Sequence, residues 1–79
     1  MRLSELSRGA SAVVRQVEPR SDADPVARRL RDLGFVDGEP VRVLGQGPFG
    51  GDPLLVQVGY TRFALRRAEA SRVIVEALA

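Results

Sequence analysis

The sequence predicts a mostly β protein, a small barrel of about five short strands with one α-helix inserted in the first long loop. Three observations carry this. Valine-rich runs of a few residues are each bounded by Gly, Pro or Asp, which is strand punctuation. One stretch alone has helical periodicity. The chain is also so short that an open sheet would leave its edges unprotected, and closure into a barrel protects them.

The elements follow in order. Leu3 and Leu6 suit a short turn or helical lid ahead of the first strand, which runs from Ala10 to Glu18 and carries Val13, Val14 and Val17. Pro19 ends it, because proline cannot donate to a ladder. The helix is predicted over Asp22 to Gly34. Asp24 sits at the N-cap, where a carboxylate accepts free backbone N–H groups, and Pro25 follows at the first helical position, where no N–H is needed. Val26, Leu30 and Leu33 recur at helical spacing as one apolar stripe, with Arg28, Arg31 and Asp32 mainly on the other side. Arg28 and Asp32 are spaced to pair along the helix, for about 0.2–0.5 kcal/mol. Gly34 suits the left-handed residue that stops a helix.

The remainder reads as β. Strands are predicted at Pro40 to Gly45, Leu54 to Val58, Arg62 to Leu65 and Arg72 to Glu76, the last almost solidly β-branched. Arg66 to Ser71 suits one short helical turn before the closing strand. The order β–α–β–β–β–turn–β fits an SH3-like barrel, and an OB-fold, which places its helix later, ranks second. The 79 residues suffice for one domain, 1–79, with no internal repeat. A chain of this size has a stability margin of about 3–5 kcal/mol at best.

Composition narrows the function. With no cysteine there is no disulfide, and with no histidine the two best ligands for zinc, copper and haem are both missing. No cofactor is expected. Only oxygen-ligand metal sites remain conceivable, and Asp22, Asp24, Asp52 and Glu69 are the candidates for loose binding of a divalent ion. Their ordinary reading is as helix-terminal or solvated carboxylates. Catalysis is not expected: Ser4, Ser7, Ser11, Ser21 and Ser71 have no histidine or lysine to activate them. The Gly47–Gly51 run lacks the Gly-Lys-Ser/Thr ending of a phosphate-binding loop.

All twelve basic residues are arginine, yet the net charge is only +2. Arg62, Arg66, Arg67 and Arg72 could form a basic patch late in the chain. Single-stranded nucleic acid would need stacking aromatics beside it, and proline-rich peptides an aromatic groove. The chain has no tryptophan and one tyrosine, Tyr60. No apolar run is long enough to span a membrane, and the polar Met1 to Gly9 is not a signal peptide, so a cytoplasmic location is expected.

Several motifs run in order along nearly the whole chain. They are Leu3-Ser4-Glu5-Leu6 followed by Gly9, then Arg29-Leu30-Arg31-Asp32-Leu33-Gly34-Phe35 followed by Gly38, then Pro48-Phe49-Gly50-Gly51-Asp52-Pro53, then Ala64-Leu65-Arg66-Arg67-Ala68-Glu69-Ala70, then Val73-Ile74-Val75. In this register they resemble the FeoA family. The resemblance implies an SH3-like barrel that works in bacterial ferrous-iron uptake beside FeoB, the membrane Fe(II) transporter with a cytoplasmic GTP-binding domain. FeoA-like domains also end some iron- or manganese-dependent repressors.

The function expected is therefore that of an accessory or regulatory protein, not an enzyme, which docks on the cytoplasmic part of the transporter. The alternative is a small-barrel nucleic-acid binder or a repressor-associated regulatory domain. The expected contact residues are Arg28, Arg29 and Arg31 on the helix for charge steering, and Pro48, Phe49, Gly50, Gly51 and Asp52 on a stiff, projecting loop with Phe49 as anchor. Weak homo-oligomerisation is compatible with a barrel of this kind.

Overall fold

The computed structural model describes residues 1–78. A 3₁₀ turn, Leu3–Glu5, precedes β1 (Ser11–Val17), α1 (Pro25–Asp32), β2 (Pro40–Gly47), β3 (Gly51–Val58), β4 (Thr61–Leu65), α2 (Arg67–Ala70) and β5 (Val73–Ala77). The strands form one antiparallel sheet in the order β4-β3-β2-β1-β5. Among the described residues β4 and β5 remain the two ends of the order, so the barrel is not closed by a strand pairing there. Instead α2 connects them, and Met1 and Arg2 lie along β5: Val75 N donates to Met1 O at 2.8 Å, and Arg2 bridges Ile74.

One cluster of apolar side chains fills the interior. Ala12, Val14 and Val17 of β1 meet Val41, Val43, Leu54, Val56, Val58, Leu65, Val73 and Val75 from the other strands, with Leu3, Leu6, Ala27, Leu30, Phe35 and Ala70 closing the ends. Phe35 is 1% exposed and packs edge-to-face on Phe63, with ring centroids 5.5 Å apart.

β1 does not alternate cleanly, and its register explains why. Strict period two from Ala12 and Val14 would turn Val17 outward. A β-bulge between Val14 and Gln16 inserts one residue opposite β5 and returns Val17 to the interior. The extra residue, Arg15, points to solvent and pairs with Glu76 at 3.0 Å and Asp37 at 3.4 Å. The hydrogen bond to Glu76, then that to Asp37, hold its guanidinium more firmly charged than usual.

α1 is shorter than the predicted Asp22 to Gly34. Asp24 is the N-cap, its Oδ1 accepting Val26 N at 3.0 Å and Ala27 N at 3.3 Å. The helix ends in a Schellman motif: Phe35 N donates to Leu30 O at 3.1 Å, Gly34 N to Arg31 O at 3.0 Å, and Gly34 has φ +116°. The buried face is Ala27 and Leu30, with Val26 partly covered. Leu33, assigned to the apolar stripe, is instead the C-cap and 38% exposed. The predicted Arg28–Asp32 pair is not among the ion pairs of the described residues.

Candidate functional site

The β2–β3 hairpin turns on Gly50 and Gly51. Phe49 and Asp52 exchange backbone hydrogen bonds of 3.3 Å in both directions across them, and their φ angles are +67° and +87°. Two successive positive φ values are the requirement of the two-residue turns that match strand twist, and glycine meets it without strain. The turn holds Phe49 at the tip, 81% exposed. The projecting loop is thus a strand end, paired across its own turn.

The hairpin is tied to the barrel from far along the chain. Arg67 N donates to Asp52 Oδ1 at 3.0 Å, Arg67 Nε to Gly51 O at 3.2 Å, and Arg67 Nη1 to Ser4 O at 3.0 Å. The first residue of α2 therefore joins the hairpin to the N-terminal turn. The Asp52 carboxylate takes the free N–H at the start of α2. No local pattern in the sequence links Arg67 to Gly51, so its support of this loop is visible only in the structure.

α2 also meets α1, through an ion pair between Glu69 and Arg29. The two segments named as partner contacts, α1 and the hairpin, thus share α2 as a common neighbour. Arg28, Arg29 and Arg31 are all exposed, and Arg28 and Arg31 take part in none of the ion pairs of the described residues. Pro48 and Gly50 are exposed beside Phe49, whereas Gly51 and Asp52 are half-buried against Arg67.

The four candidate metal-binding carboxylates are not brought together. Asp24 and Arg72 form an ion pair in which each side chain is 8% exposed, and Asp24 Oδ2 also accepts Arg20 N at 2.9 Å. With its N-cap bonds this carboxylate is saturated. Asp52 serves Arg67, and Glu69 serves Arg29 while accepting Arg66 N at 3.4 Å. Asp22 is exposed. Among the described residues no three Asp or Glu side chains are close enough to hold a metal ion.

The late arginines separate in the same way. Arg72 is buried on Asp24, Arg67 is committed to carbonyls, and Arg62 Nε bonds Gln57 Oε1 at 3.2 Å. The two strongly exposed aromatics, Phe49 and Tyr60, stand at opposite ends of β3.

A coiled five-stranded antiparallel sheet, with a helix in its first long connection and a helical turn before its last strand, defines the protein as an SH3-like barrel. Residues 1–77 match the family model described as the FeoA domain, and the chain belongs to the FeoA family, which is linked to ferrous-iron transport. It is 60% identical to Stenotrophomonas maltophilia FeoA, whose crystal structure with zinc was described as that of a procaryotic SH3 domain protein. The match covers 96% of this chain and 89% of that one, with a TM-score of 0.87. Chlorobium tepidum FeoA is 42% identical over 100% of this chain and 71% of its own, with a TM-score of 0.84. A Porphyromonas gingivalis protein named as a fusion of Fe(2+) transport protein A with the Fe(2+) transporter FeoB is 36% identical over 96% of this chain. This chain spans 8% of that relative's length. No helix among the described residues is long and apolar enough to cross a membrane.

Proposed function

We propose that this protein is a cytoplasmic accessory of bacterial Fe(II) uptake that binds the cytoplasmic part of a FeoB-type transporter, and that it works by binding rather than by catalysis. By preferring one conformation of the transporter it favours the active or assembled state, since a ligand shifts an equilibrium by its differential affinity for the two states.

The observation that carries this reading is the Porphyromonas gingivalis relative, whose name joins the A protein and the transporter in one chain. Covalent linkage raises the effective concentration of one segment at the other, an arrangement suited to partners that must meet. The Stenotrophomonas relative, proposed as a ferrous-iron transport activating factor, supports the same reading. On this chain the contact residues are Phe49 at the hairpin tip as anchor, with Pro48, Gly50, Gly51 and Asp52 around it, and Arg28, Arg29 and Arg31 on α1 for steering.

Calorimetric titration against the cytoplasmic domain of the same organism's transporter, with and without a GTP analogue, tests it. Saturable binding that changes with nucleotide is expected. No binding to that domain, and none to the intact transporter in detergent, overturns the reading.

A further inference from the structure

The two edges of the sheet are treated differently. β5 is covered by Met1 and Arg2, whereas among the described residues no backbone group from another segment bonds the outer side of β4. An unpaired edge presents a row of N–H and C=O groups that readily accept another strand.

On the face shared by β3 and β4 lies an open groove of about 350 Å³ lined by Phe49, Asp52, Pro53, Ala64 and Arg66. Arg62, Ala64 and Arg66 alternate along the chain and are all exposed; the first two share the solvent side of β4, and Arg66 follows it in extended conformation as the N-cap of α2. On β3 beside them, Gln57 faces Arg62 and the exposed Leu55 faces Ala64. Arg42 continues the first of these rows on β2. Arg42, Arg62 and Arg66 form none of the ion pairs of the described residues. Of the nearby carboxylates, Asp52 is committed to Arg67 N and Glu69 to Arg29 and Arg66 N, while Glu39 lies by Gly59, at the Gln57–Arg62 end of the patch, and forms none of the ion pairs of the described residues. The surface is therefore an apolar centre, Leu55 with Ala64 and Phe49, flanked by guanidinium groups that form none of the ion pairs of the described residues.

We propose that the outer edge of β4 takes an extended acidic segment of the partner protein as an added strand. The side chains it selects are acidic, apolar and acidic at alternate positions, to match Arg62, Ala64 and Arg66, with the apolar one packed on Ala64 at the rim of the groove. The inference rests on the reading of the hairpin as a partner-contact surface, and adds the mode of binding and the chemistry of what is bound. Main-chain hydrogen bonds to β4 give the affinity and the alternate side chains the specificity. Like-charged segments are rejected at Arg62 and Arg66.

The test uses the full chain, ¹⁵N-labelled, and a capped octapeptide in which glutamate, leucine and glutamate alternate with threonine. Saturable shifts of the amides of residues 61–66 and of Phe49, with slowed exchange in β4, are expected. Arg62→Glu/Arg66→Glu should bind this peptide at least about tenfold more weakly, from two rim charges that change sign, and should prefer the lysine counterpart. The same peptide N-methylated along one edge should fail to bind. Equal binding of the N-methylated peptide, shifts centred on α1, or no binding at millimolar peptide overturns the proposal. So do β4 shifts that grow with protein concentration alone, which would assign the edge to a second copy. A transporter domain that binds a protein unmarked by the peptide refutes this inference and leaves the docking reading standing; a peptide that binds where the transporter does not has the reverse meaning.

Discussion

The backbone N–H of Arg67 donates to the carboxylate of Asp52 at 3.0 Å, and the Arg67 side chain returns to the carbonyl of Gly51 at 3.2 Å. Strand end and helix start thereby hold each other across the barrel. Without this brace the exposed Phe49 would ride on a two-residue turn with no support beyond its own ladder. A pre-ordered hairpin binds a partner with less loss of conformational freedom than a mobile one.

Removing the acceptor isolates the brace. Asp52→Ala should lower stability by about 0.5–2 kcal/mol, the range for losing a carboxylate that accepts a free N–H at a helix start, and should accelerate amide exchange at the hairpin tip. Urea unfolding and hydrogen exchange read the two effects, and Asp52→Asn, which keeps an acceptor oxygen, should recover part of the stability.

The two glycines of the turn should differ in their tolerance. A Cβ on Gly50 meets nothing within 4 Å, so Gly50→Ala carries only the strain of positive φ, about 1 kcal/mol. On Gly51 a Cβ lies 2.7 Å from Arg67 Nη2, so Gly51→Ala should also displace the guanidinium from Gly51 O and Ser4 O. Those two hydrogen bonds contribute about 0.5–1.5 kcal/mol each. Gly51→Ala should therefore melt below Gly50→Ala in paired thermal scans, and equal melting would remove Arg67 from the account.

The buried ion pair of Asp24 with Arg72 should be strongly coupled. Asp24→Ala leaves a guanidinium that is 8% exposed without its partner, and breaking such a pair costs about 3–5 kcal/mol. That is comparable to the whole margin of a chain this small. Arg72→Met combined with Asp24→Ala should lose less than the sum of the single changes, because no charge is then stranded. A double-mutant cycle by urea unfolding measures the difference, and strict additivity would show that the two groups do not depend on each other.

Phe49 should separate binding from folding. The ring is 81% exposed, so Phe49→Ala should change stability by no more than about 0.5 kcal/mol. Its affinity for the transporter domain should fall about tenfold or more, as for an aromatic anchor at an interface centre. Reversing charge at Arg28 and Arg31 should weaken docking chiefly by slowing association, and more so at low salt. Unchanged affinity with unchanged melting would exclude the patch concerned.

Which parts of this were legible in the sequence follows the range of the forces involved. The N-cap of Asp24, the Pro25 start, the stop at Gly34 and the Gly50–Gly51 turn depend on backbone groups within a few residues, and each stands in the structure where local chemistry puts it. The place of Leu33 was not legible, because helical spacing admits either Leu33 or Ala27 beside Leu30, and the barrel surface selects Ala27. Nor was the bulge at Arg15, since only pairing with β5 shows that one residue is extra.

By itself the sequence determined the kind of elements and their order, because strand and helix periodicity, proline and positive-φ glycine act through a residue's immediate neighbours. It also determined which chemistries are unavailable, through the absence of cysteine, histidine and lysine. Tertiary structure alone decided what the charged side chains do. Asp24 is closed off by Arg72, Asp52 is spent on Arg67, and Glu69 on Arg29, while Arg28, Arg31, Arg42, Arg62 and Arg66 form none of the ion pairs of the described residues. Ion pairs and edge pairing join residues far apart in the chain. The energy of such a contact depends on a separation and a burial that exist only after the sheet has coiled.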